Sequence, residues 1–173
     1  MDIYEYLESE TVERLKKNIE KNPDVYSLGE LYGVPCVVLT YKFNNGKHVR
    51  KQYDLLAGFL KDEGKDYYLS KLVKEYDKLC KKIESTKKQK GAVFELELEK
   101  RKEDALKGIV LFIINCGPID FIKDPVVRKM LKDITMSSEF YHIELPDPDE
   151  FCIQDEIGIK VNPYIYLSRQ QYF

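Results

Sequence analysis

The fragment Cys116-Gly117-Pro118-Ile119-Asp120 comes closest to nucleophilic chemistry in residue type. The cysteine follows the apolar run Ile109–Ile114. If the chain enters a helix at this point, the helix N-terminus lowers the thiol pKa and favours the reactive thiolate. His142, on a stretch expected to be a strand, would then serve as base, with Asp120 orienting it. The plainer reading, a loop cysteine behind a buried element, is preferred. A cysteine and a histidine distant in sequence carry no information about their separation in space.

Other chemistries are weaker. Glu144, Asp147, Asp149, Glu150, Asp155 and Glu156 offer carboxylates enough for a divalent cation, but without the register or the glycine of a calcium loop. They read as an acidic loop facing a partner, centred on Asp147, Asp149, Glu150, Asp155 and Glu156. Cys36, Cys80, Cys116 and Cys152 are spread evenly, with no C-x-x-C pair, so neither a zinc site with His48 or His142 nor a disulfide framework is expected. Free thiols in a reducing, cytoplasmic compartment are the expectation. The phosphate cradles G-x-x-x-x-G-K-[ST] and G-x-G-x-x-G are absent, as are G-x-S-x-G and H-E-x-x-H. Asp62-Glu63-Gly64-Lys65 holds an E-x-K tripeptide, which chance supplies in a chain this rich in Glu and Lys. No cofactor or metal is expected, and no catalytic residue is assigned.

Charge is the feature that rises above background. The net charge of -2 conceals segregation along the chain. Lys42, Lys47, His48, Arg50 and Lys51 fall in one short stretch without an acid. Lys71, Lys74, Lys78 and Lys82 then recur at helical spacing, and the stretch 137–157 carries seven acids and no Lys or Arg. If the two basic stretches lie together, they form a patch that attracts phosphates or an acidic protein surface. A lysine face opposite an apolar stripe is also what an ordinary amphipathic helix displays. Only five of the 28 basic residues are arginine, which argues against a precise reader of bases.

These residues must be carried by a chain of 173 residues, 43% hydrophobic and 34% charged, whose length suits one domain spanning 1–173. No apolar run approaches the roughly 18 residues of a membrane span, and the acidic N-terminus lacks a signal core. Asp2 and Glu5 have capping-box spacing ahead of an apolar stripe, Leu7, Val12, Leu15 and Ile19, which Asn22-Pro23 ends. A short turn or helix is expected near Ser27–Tyr32. The run 37–43, Asn45-Gly46 and 47–53 form the strongest hairpin signal. Asp54 then caps a short helix to Leu60, with Gly64 as its stop.

From Asp66 to about Glu84, Leu69, Leu72, Val73, Tyr76, Leu79, Cys80 and Ile83 define a helix with its lysines opposite. The run 85–91 reads as a loop. Residues 92–115 fit either a strand, through Phe94, Leu96 and Leu98, or a helix packed antiparallel on its predecessor, and the helix is favoured. Asp124-Pro125 opens a helix to about Ile134. Strands are expected at 140–145 and 158–167, with Tyr164, Tyr166 and Phe173 near the C-terminus.

The resulting fold class is α+β: a helix-rich domain with one hairpin in its N-terminal half and short C-terminal strands. Three functions follow in order. The first is a non-catalytic interaction or regulatory protein with a protein partner, whose C-terminal aromatics would suit a homodimer contact. The second is a nucleic-acid-binding protein using the 37–53 hairpin and the 66–84 lysine face on phosphates. The third is an enzyme centred on Cys116 and His142.

Overall fold

The computed structural model describes residues 3–43, 48–86, 92–145 and 151–152. The chain begins with a 3₁₀ turn, Ile3–Glu5, where the capping-box spacing predicts a helix start. Leu7 is only 1% exposed and bridges to Leu60, while Glu8 N donates to Phe59 O at 3.3 Å and Lys61 N to Tyr6 O at 2.6 Å. Those backbone bonds tie the segment to a distant turn, and α1 starts only afterwards, at Ser9–Lys21. Asp2, the expected cap, lies outside the described residues.

Three antiparallel strands follow: β1, Tyr26–Leu31; β2, Val34–Phe43; and β3, His48–Leu55. β1 replaces the turn or helix predicted near Ser27–Tyr32. It pairs with β2 in a two-residue hairpin whose turn residues, Tyr32 (φ 51) and Gly33 (φ 84), are both left-handed. This geometry matches the right-handed twist of the strands it joins. β2 and β3 pair from Cys36↔Leu55 to Phe43↔His48. That is the predicted hairpin, although Asn45-Gly46 lies outside the described residues. Asp54 stays in β3 instead of capping a helix, and a 3₁₀ turn, Ala57–Phe59, follows.

Helix α2 spans Asp62–Thr86 and α3 spans Ala92–Cys116. Gly64 does not stop a helix. It lies in the first turn of α2, where an added Cβ would come within 2.6 Å of Tyr6 Cβ. α3 settles the ambiguous stretch as helix. It packs antiparallel on α2, with Arg101 against Glu75 at one level and Gly108 against Leu72 at another. Ile109 to Ile114 are all fully buried, because α3 contacts α2, β2 and the 57–59 turn on different sides. A helix apolar all round requires such a central position.

Pro125 opens α4, Pro125–Met136, and Asp124 caps it by accepting from Val126 N at 2.9 Å. The predicted strand at 140–145 is instead α5, Ser138–His142, followed by irregular chain. Phe140 and Ile143, three residues apart, join the core from one side of this turn, a spacing that suits a helix and not a strand. A two-residue strand, β4, Phe151–Cys152, pairs parallel with β3 at Tyr53 and Asp54. The predicted strand at 158–167 and the terminal aromatics lie outside the described residues. The architecture is α+β, and its apolar cluster runs from Leu7 to Leu145.

Candidate functional site

Cys116 is the last residue of α3, not the first of a new helix, so the helix dipole does not favour its thiolate. Its Sγ lies 3.6 Å from Gly117 O and 3.9 Å from Ile113 O. Burial pushes the thiol up to about 12; Lys65 acts in the opposite sense and Asp120 adds to the rise. His142 is exposed on α5, its Nδ1 2.7 Å from Ser138 O. Its neighbours in a surface groove include Glu99 and Glu103 of α3. Cys116 lies about 20 Å beyond Glu103 along that helix, at 1.5 Å per residue. The predicted pairing of thiol and imidazole is therefore not formed.

The E-x-K tripeptide occupies the first turn of α2, with its glycine beneath Tyr6. Burial also raises the thiol of Cys80 and pushes that of Cys36 up to about 12. No group of three or more His, Cys, Asp or Glu among the described residues is arranged to hold a metal ion.

Among the described residues, Lys42 and the point where α2 meets the sheet lie at opposite ends of β2. Lys42 and Lys51 are exposed on the β2–β3 hairpin, facing Val49 and Thr40 across the ladder. His48 and Arg50 lie on β3, and Lys47 lies outside the described residues. The acidic residues Asp147, Asp149, Glu150, Asp155 and Glu156 also lie outside them. α2 meets the sheet at the opposite end of β2, where Leu72 sits against Gly33. Eight strand residues separate that end from Lys42, about 27 Å at 3.4 Å each. α3 contacts both α2 and β2.

The lysine face of α2 is formed as predicted. Lys71, Lys74, Lys78 and Lys82 are all exposed and form one stripe at three- and four-residue steps. Three acids elsewhere on the helix are engaged: Glu75 with Arg101 at 3.4 Å, Asp77 with Lys81 at 3.0 Å, and Asp66 with the Ser70 hydroxyl at 2.8 Å. None of the four lysines pairs with an acid among the described residues.

Tyr67, one step ahead of Lys71 in the stripe, stacks on Tyr6 with centroids 5.5 Å apart and planes 11° apart. Tyr67, Lys71, Lys74 and Lys123 line one groove of about 740 Å³ together with Glu63 and Asp66. Tyr67 was legible, standing four residues before Lys71. Tyr6 and Lys123 reach the site through tertiary packing, for which spacing gives no signal.

A second polar cluster lies between α2, α3 and α5. The Tyr76 hydroxyl donates to Glu139 Oε2 at 3.2 Å, and Lys102 Nζ sits 3.5 Å from the same carboxylate oxygen. Burial, with help from Cys80 and Glu139, raises the Tyr76 pKa, so the phenol remains a neutral donor. These contacts pin α5 to the two long helices. Among the described residues no helix is long and apolar enough to cross a membrane. Comparisons with protein-family models, curated proteins and solved structures found no match for this chain.

Proposed function

We propose that the chain is a non-catalytic binding protein that recognises an acidic partner macromolecule through the lysine face of α2. The observation that carries this reading is the stripe Lys71, Lys74, Lys78 and Lys82, exposed and without acidic partners among the described residues, while Glu75 and Asp77 of the same helix are paired. Exposed lysines paired with acids add little net field, whereas a row without acidic partners among the described residues creates a local positive field. The row spans about 16 Å of helix at 1.5 Å per residue. The place of Cys116 at the C-terminal end of α3, away from His142, supports a binding role over the cysteine chemistry that the sequence suggested.

The test is retention of partners from a native lysate by the full-length chain and by a variant with all four lysines changed to glutamate. The wild type should hold its partners at low salt and release them as salt rises. The variant should fold equally well and retain none of them. Equal retention by both proteins would contradict the reading.

A further inference from the structure

The groove at the N-terminal end of the lysine stripe combines an exposed aromatic ring with a row of cations. We infer that α2 binds single-stranded nucleic acid, with a base stacked at Tyr67 and the phosphate backbone tracking Lys71, Lys74, Lys78 and Lys82. This rests on the reading of the α2 face as the working surface and names its partner class.

Tyr67 is 37% exposed although its ring stacks on Tyr6 and meets Tyr68 edge-on at 5.2 Å. Two further rings therefore hold it in place, and a ring fixed before binding loses little entropy on stacking with a base. Gly64 lets Tyr6 approach, since a Cβ there would come within 2.6 Å of Tyr6 Cβ. The aromatic platform is thus built into the start of the helix that carries the lysines.

Charge in the groove is mixed, and its distribution orients the ligand. Glu63, Asp66 and Asp124 line the groove near Tyr67, alongside Lys123 and Ser70. Asp124 is engaged in capping α4, and Asp66 accepts from Ser70. Carboxylates repel phosphates but accept hydrogen bonds from exocyclic amino groups of bases. The base end of the ligand therefore belongs at Tyr67, and the phosphates follow the lysines out of the groove, which Lys71 and Lys74 share with the carboxylates, towards Lys78 and Lys82. Lysine, a flexible point charge, suits backbone contacts that ignore sequence. In a duplex the base faces are covered by their neighbours and cannot reach Tyr67, and an acidic protein offers no base to stack.

The experiment is fluorescence anisotropy on the full chain with a labelled single-stranded oligoadenylate of about 16 nucleotides, in ribose and deoxyribose forms. A duplex of equal length and polyglutamate are the comparison probes. The single strand should bind with a slope of log affinity against log salt of about −3, four contacts at roughly 0.7 each. Tyr67→Ala should weaken it roughly 5- to 100-fold and leave that slope unchanged, while Tyr67→Phe stays close to wild type. Equal urea midpoints for the Tyr67 variants and wild type would show that the fold is retained. A duplex bound as tightly as the single strand, or a Tyr67→Ala variant of wild-type affinity, would overturn the inference. Binding of polyglutamate alone, abolished by reversing the four lysines, would also overturn it while leaving the α2 reading standing. If reversal of the lysines changes the binding of no probe, both fail.

Discussion

Cys36 is fully enclosed, and burial, with the Glu30 and Asp54 carboxylates, pushes its thiol from 9.0 up to about 12. The folded state thus keeps a proton that the unfolded chain releases near pH 9. Its stabilising contribution is full below about pH 9 and falls as pH rises towards 12. Urea midpoints measured across that window should decline, and Cys36→Ala should flatten the decline, whatever it costs at neutral pH. A variant as steep as wild type would show that the thiol does not titrate in this way. Cys116 should label slowly with maleimide at neutral pH in the folded protein and rapidly in urea. Fast labelling of the folded protein would revive the nucleophile that the sequence suggested. Sequence placed an apolar run before this cysteine correctly. The helix favoured over 92–115 is formed as α3, and the run ends it, although Ile109–Ile114 by itself has no periodicity to separate a strand from a buried helix.

At the level of elements, the β1–β2 turn is fitted against both α2 and α3. An added Cβ on Gly108 would collide with the Tyr32 carbonyl oxygen, and one on Gly33 would come within 2.7 Å of Leu72 Cδ2. Alanine favours an isolated helix over glycine by about 1 kcal/mol, so Gly108→Ala should stabilise α3 on propensity alone. Here it should instead destabilise the protein, by roughly 1–3 kcal/mol, because the turn must move off the helix. Chemical denaturation gives the sign directly. Phe140 makes the corresponding test for α5. It is fully buried, and Phe140→Ala should cost about 3–5 kcal/mol; a loss under about 1 kcal/mol would mean that α5 is not docked.

The β2–β3 hairpin, α2 and α4 were legible because each carries a local signal: Asn-Gly, a 3.6-residue stripe, and Asp-Pro. The β1–β2 hairpin was not, since its turn places Tyr32 in a left-handed conformation that residue preferences do not suggest. Gly64 read as a helix stop from sequence alone. Its role is set by Tyr6, a residue distant in sequence.

Across the whole molecule, the point at which α2 meets the sheet bears on which charges can act together. Spacing alone put Lys71, Lys74, Lys78 and Lys82 on one side of α2. Nothing local could show that α2 meets the sheet at the Gly33 end of β2, away from Lys42, since that depends on packing between elements far apart in sequence. Because the four lysines are exposed and unpaired among the described residues, reversing their charge should change stability by no more than about 0.5 kcal/mol per site while removing partner binding. A large loss of stability would instead assign them a structural role.

The measurement that bears most directly on the α2 face is lysine acetylation footprinting of the full-length protein, free and in complex with material retained from a lysate. Lys71, Lys74, Lys78 and Lys82 should be protected in the complex, while Lys42 and Lys51 react as in the free protein. Protection confined to Lys42 and Lys51, with the α2 lysines fully reactive, would contradict the assignment and move the working surface to the hairpin.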